Sequence, residues 1–136
     1  MLKVTDVGGQ QLLNTLFGAT AKTTIFTLQL ITDANALADT DTNASHTVAT
    51  GGGYADKTLS NNATVALNGG IPEAVWAAQD FVFTGPLTGN PTIKGYQVLA
   101  GTTLLWEELI ANFTPANNGD HITITPKFQA GNGTPA

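Results

Sequence analysis

Few side chains in this sequence could carry chemistry, and they are loosely spaced. Asp33, Asp39 and Asp41 share one stretch, and hard cations such as calcium favour clustered carboxylate oxygens, so this is the strongest cation candidate. The spacing fits neither an EF-hand nor a calcium-binding repeat, which makes solvated loop carboxylates the expectation. Glu107 and Glu108 bring to mind the acid and base of a glycosidase. Adjacent strand residues point to opposite faces, however, and cannot flank one bond. Ser45 and Ser60 stand in loop-like sequence without a nucleophile elbow, while His46 and His121 open strands in polar surroundings. Both histidines read as exposed or structural, since nucleophilic catalysis needs a serine beside an oriented base. Gly51-Gly52-Gly53 lacks the Lys-Ser/Thr ending of a phosphate loop and reads as a structural turn. Trp76, Trp106, Tyr54 and Tyr96 could stack sugars, but aromatics in a small sandwich more often anchor a core or an interface. No catalytic residue, metal ligand or cofactor follows from these patterns.

The elements that must position these groups are legible from periodicity. Val7 to Gly18 predicts a short helix, with Leu12, Leu13, Leu16 and Phe17 on one stripe and Gly18 at its end. A stripe on so short a helix needs a partner, either this chain's sheet or a neighbouring subunit. Thr23 to Thr32 alternates with Phe26, Leu28 and Leu30 on one face, and Asp33 to Ser45 then reads as a long exposed loop. Further strands are predicted at Thr47 to Thr50, Lys57 to Leu59, Ala63 to Leu67, Asp80 to Thr84, Thr92 to Ala100 and His121 to Thr125. Thr102 to Phe113 holds good helix formers, yet Gly101-Thr102 suits a hairpin and favours a strand. Pro126 marks an edge or the end of pairing. About seven short strands after one helix predict an all-β fold: an antiparallel, jelly-roll-like β-sandwich with a short N-terminal α-helix.

Composition narrows the function. The 136 residues make one expected domain, 1–136, with 1–6 and 130–136 as extended or loose termini. Only 11% of the residues are charged, the net charge is -5, and all five basic residues are lysines. That cation density does not suit phosphate neutralisation, so no nucleic-acid partner is expected. No apolar run approaches the ~20 residues of a membrane span, and no signal-like start is present, so the chain reads as soluble and membrane-free. A hydrophobic share of 42% argues against disorder. With no Cys, there is neither a disulfide nor a thiolate metal site.

An ordered series of motifs runs through the chain: Thr50-Gly51-Gly52-Gly53-Tyr54-Ala55, Trp76 to Thr84, Lys94-Gly95-Tyr96, Leu104-Leu105-Trp106-Glu107-Glu108 and Asn118 to Pro126. The series resembles a family of small virion structural proteins of tailed bacteriophages, in which a GGGYA turn, an FTFT strand, a GY strand, an LLW strand and an NGD-ITVTP hairpin follow in this order. It spans most of the chain, from the first helix to Phe128. Lys94 and Glu108 depart from the pattern and put any shared charge contact in doubt. The resemblance implies a non-enzymatic particle component, and foremost a capsid decoration or cement protein. Such a protein binds and stabilises the major capsid protein shell, as a homo-oligomer about a local axis on the virion's capsid surface. A tail, baseplate or fibre-attachment protein is the alternative, and a carbohydrate-binding module is the alternative from another class. Leu12, Leu13, Leu16 and Phe17, with the N-terminal Met1 to Val7, are the expected docking surface, and Tyr54 and Trp106 are further interface candidates.

Overall fold

A computed structural model describes residues 2–18, 21–33 and 35–129; the predicted loose tail 130–136 lies outside them. In chain order the elements are β1 (Leu2–Val4), α1 (Asp6–Phe17), β2 (Ile25–Ile31), β3 (Lys57–Ser60), β4 (Thr64–Asn68) and β5 (Ile71–Val75), then β6 (Gln79–Val82), β7 (Ile93–Ala100), β8 (Thr103–Phe113), β9 (His121–Ile124) and β10 (Lys127–Gln129). They form a five-stranded sheet in the order β1-β8-β7-β2-β3, a three-stranded sheet β10-β5-β4 and a two-stranded ribbon β6-β9. All seven strand pairings are antiparallel. The fold is all-β and sandwich-like with one short N-terminal helix.

The alternation of β2 builds the core. Leu28 and Leu30 point to one side and meet Tyr96, Val98 and Trp106 of the same sheet, together with Trp76, Phe81, Phe83 and Ile124 from the other strands. Trp76 and Trp106 stack with ring centroids 5.4 Å apart, and Phe26 meets Trp76 edge-on. The indole N–H of Trp76 donates to the Ser60 carbonyl at 2.8 Å, so the ring is buried with its polar edge satisfied.

The segment predicted as a strand from Thr102 to Phe113 is indeed one, β8 running Thr103–Phe113 after a turn at Gly101 and Thr102. It carries an irregularity that matters later. Val98 pairs with Trp106 but Leu99 pairs with Leu104, which leaves Leu105 as an extra residue. Such a bulge places two successive side chains on one face. Leu105 and Trp106 both enter the core, and Glu107 falls on the opposite face.

Several strand expectations are corrected. Ten strands form among the described residues instead of about seven. Thr47 to Thr50 is not a strand but a single bridge, Ile31↔Val48. β3 already occupies that edge of β2 as far as Leu28, leaving little free length to pair. β5 contains Pro72, which cannot donate to a ladder, yet β10 pairs only with Glu73, Ala74 and Val75. Pro72 therefore sits where no bond is required on that side. The N-terminal residues Leu2–Val4 form β1 on the edge of β8.

α1 starts where Thr5 accepts the Gly8 N–H at 3.1 Å and donates to the Leu104 carbonyl at 2.6 Å. It ends at Gly18, whose backbone is extended (φ -99°) and not left-handed as a C′ glycine would be. A Cβ at Gly8 would stand 2.2 Å from the Leu105 carbonyl oxygen, so glycine lets the first turn lie directly on β8.

Candidate functional site

Two regions outside the core have the makings of a site. The first is an apolar groove of about 520 Å³ between α1 and the sheets. Leu12 and Leu16 form one lip, Val65 and Ala63 the other, and Phe26, Trp76, Trp106 and Phe128 the floor. Among the described residues, Lys22 is the only titratable one on its wall, so the groove can pack apolar groups but has little means of moving protons.

The predicted docking residues divide here. Leu12 is half-buried along the groove, and Leu13, Leu16 and Phe17 are exposed by 59%, 71% and 83%. The stripe is thus left largely open by this chain's own sheet. Trp106 and Tyr54, the further interface candidates, sit deeper than the stripe. Trp106 is buried in the core, drawn there by the bulge in β8. Tyr54 is half-buried, stacks on Phe81 at 5.9 Å, donates its hydroxyl to Asp56 and accepts the Leu30 N–H. Trp76 is buried as well, so both tryptophans meet solvent only where they line the groove.

Gly51-Gly52-Gly53 is a structural turn, as expected. All three residues have left-handed φ (57° to 77°), and added Cβ atoms would strike the segment 84–88 at 2.2 to 2.9 Å. The turn is held to that segment by the Thr84 N–H to Gly52 carbonyl and the Thr88 N–H to Thr50 carbonyl, both 2.8 Å.

The second region lies on the opposite face of the five-stranded sheet, under the loop that joins Ile31 to Val48. The base of this loop is closed by Thr32 N–H to Thr47 carbonyl (2.9 Å) and by the Ile31↔Val48 bridge. His46 is buried beneath it. Its Nδ1 lies 2.8 Å from Asp33 Oδ1, and its Nε2 lies 3.3 Å from Asp41 Oδ2 and 3.1 Å from Glu107 Oε2. Asp33 also accepts the backbone N–H groups of Asn35 and Thr47, and Asp41 accepts that of Ala38 at 2.7 Å.

The loop aspartates were expected to be solvated, and the structure brings two of the three inward. Asp39 joins differently, through its backbone carbonyl, which accepts the Asp6 N–H at 2.7 Å. His46 is not exposed, as one of its two readings had it, but buried among carboxylates. Glu107 was read only as half of a failed pair. The strand geometry behind that reading holds, since Glu108 takes the Tyr96 hydroxyl at 2.6 Å while Glu107 faces His46. Its convergence on a loop far away in the chain had no local signal.

Electrostatics follow from this packing. Burial pushes the Glu107 carboxyl up to about 7, and the neighbouring Asp41 adds to the rise. Burial opposes the charged forms of Asp33 and Asp41, yet His46 and the backbone N–H groups at Asp33, and the Ala38 N–H, Glu107 and His46 at Asp41, outweigh it and hold both below the usual carboxylate range. For His46, burial opposes the charged form, but Asp33 and Glu107 prevail and raise its pKa. Gln97 and Gln29 extend this polar face, Gln97 Nε2 donating to Gln29 Oε1 at 2.7 Å and Gln29 Nε2 to Asp56 at 2.8 Å.

No protein-family model, curated protein or solved structure matches this chain. No described helix is long and apolar enough to cross a membrane.

Proposed function

We propose that this chain is a non-enzymatic virion structural protein of a tailed bacteriophage, a capsid decoration protein that binds and stabilises the major capsid shell. One observation carries the reading: the C-terminal half of α1 offers Leu13, Leu16 and Phe17 to solvent beside an apolar groove that Leu16 helps to line. Exposed apolar residues grouped beside a groove mark an interaction surface. Burying Leu16 and Phe17 would contribute roughly 1.5–3 kcal/mol each before the cost of association is counted. Repetition over many copies turns a modest contact into firm attachment. The ordered motif series supports the virion setting, and the low charge count suits a surface that is desolvated in a close-packed assembly. β4 is the edge of its sheet, with all five residues exposed, which suits strand addition to a neighbouring copy in a homo-oligomer.

The test is copy number in purified particles, with the partner identified by cross-linking. Hundreds of copies cross-linked to the major capsid protein are the expected result. A few or a dozen copies would overturn the capsid reading in favour of a tail, baseplate or fibre-attachment role. Leu16→Asp and Phe17→Asp should fold normally and lose most of their occupancy on particles.

A further inference from the structure

We propose that Asp41, His46 and Glu107 bind a divalent transition-metal ion, best matched by Zn2+, and that Asp33 is the positioning residue for the histidine. The donor atoms of the three ligands lie within 4.8 Å of one another. Nε2 of His46 stands 3.3 Å from Asp41 Oδ2 and 3.1 Å from Glu107 Oε2. In a four-coordinate zinc site with bonds of about 2.0–2.1 Å, ligand atoms stand about 3.3–3.4 Å apart, so two of the three edges are already near that spacing.

Glu107 supplies an independent observation. Its side chain is fully buried, it is aimed at His46, and neither of its oxygens makes an aligned hydrogen bond among the described residues, although Asp41 and the Ala38 N–H lie close enough to act on its charge. The 3.1 Å approach to Nε2 is an ion-pair distance without hydrogen-bond alignment. A buried carboxylate left in this state is costly, and a bound cation would remove the cost. His46 brings at most one positive charge to the three carboxylates around it, and a divalent ion on the neutral imidazole would lessen that imbalance by one further charge.

Asp33 also suits a metal-bound histidine. Its Oδ1 lies 2.8 Å from Nδ1, so once a metal displaced the Nε2 proton, Asp33 would receive the Nδ1–H and hold Nε2 toward Asp41 and Glu107. Carboxylate–histidine–metal relays orient metal-binding imidazoles in this way. Calcium fits less well, because it selects oxygen ligands and this set includes a nitrogen. The ion would enter past Asp33 and Asp41, whose side chains are each 16% exposed while His46 and Glu107 are closed off. With ligands from the loop and from β8, the metal is a clasp holding the loop against the sheet.

The test is titration of the chelator-treated chain with Zn2+ by calorimetry, with Co2+ as a spectroscopic probe and thermal melting as the stability readout. One equivalent should bind, Co2+ should show a ligand-field spectrum of tetrahedral intensity, and Tm should rise by about 5–10 °C at Zn2+ 100-fold above Kd. Glu107→Gln and His46→Gln should lose binding, and Asp33→Asn should weaken it about 10–100-fold with the Co2+ spectrum still present. A merely structural Asp33 would instead lower Tm equally with and without metal. His121→Ala and a Ca2+ titration are the controls, the first retaining full Zn2+ affinity and the second giving no shift. The proposal is overturned if the unaltered chain shows no saturable Zn2+ binding, if Glu107→Gln binds as tightly as the unaltered chain, or if binding is lost with His121. Should the His46 variant fail to fold, Asp33→Asn and Glu107→Gln still decide.

Discussion

The two faces of the five-stranded sheet solve different problems. On one face, Leu28, Leu30, Val98 and Trp106 meet other apolar side chains, and any group of similar size and shape would be tolerated there. On the other, Gln97 and Glu107 are fully buried, Glu107 beneath a loop and Gln97 against the half-buried Gln29, and their polar atoms must be matched one by one. The apolar face is packed within the chain apart from the groove under α1, and its one unmet polar atom among the described residues is the neutral indole Nε1 of Trp106. The polar face is buried as deeply and still holds a carboxylate without an aligned hydrogen bond among the described residues. Depth of burial alone therefore does not distinguish a packed core from a binding centre. An unmet ionisable group does, because its desolvation costs far more than that of a neutral indole N–H.

Substitutions on the two faces should differ in size and in sign. Trp106→Ala on the packed face should destabilise the chain by about 3–5 kcal/mol in urea unfolding, because it leaves a cavity beside Trp76. A loss under 1 kcal/mol would mean that this face is not the main core. Gly8→Ala would drive a methyl into the Leu105 carbonyl and should cost about 3 kcal/mol by moving α1 off β8. The same denaturation curves read it.

An intermediate effect concerns pH. Burial pushes the phenols of Tyr54 and Tyr96 well above their ordinary value, with Asp56 and Glu108 adding to the rise. In the unfolded chain both ionise near pH 10, while in the folded chain they remain neutral. Their contribution is thus complete below about pH 10 and is lost as pH climbs toward the raised values, by up to about 1.4 kcal/mol per pH unit for each phenol. Tyr96→Phe should move the alkaline unfolding midpoint upward, followed by circular dichroism together with phenolate absorbance. Ionisation of both tyrosines near pH 10 in the still-folded chain would refute this.

The smaller effects separate function from stability. On the polar face, Glu107→Gln replaces an unmatched carboxylate with a neutral amide and should stabilise the metal-free chain, by about 1 kcal/mol. Destabilisation there would show that the carboxylate's ion pair with His46 outweighs its desolvation. At the exposed end of α1, Leu16→Asp should change stability by under about 0.5 kcal/mol, since it removes no buried contact. Its consequence should appear in particle binding alone.

Much of the framework was legible because it is local. The alternation of Ile25–Ile31 and Ile93–Ala100 identifies strands that bury a face, and the Leu12, Leu13, Leu16, Phe17 stripe marks a helix, because period and partner face are properties of neighbouring residues. β5 was not legible, since Pro72 argues against a strand until β10 is seen to stop short of it. Likewise, nothing near Trp106 tells whether its ring serves an interface or the core. That depends on a bulge defined by pairing with β7.

By itself the sequence determined an all-β chain with one helix, few charges, no thiol and an aspartate-bearing loop. Each of these follows from residue type and short-range spacing. The tertiary structure alone decided that Asp33 and Asp41 turn inward, that His46 lies buried between them, and that Glu107 comes from the middle of β8 to meet it. That meeting requires a closed loop, a sheet beneath it and a one-residue shift of alternation. All three depend on contacts between segments far apart in the chain, which residue spacing does not encode.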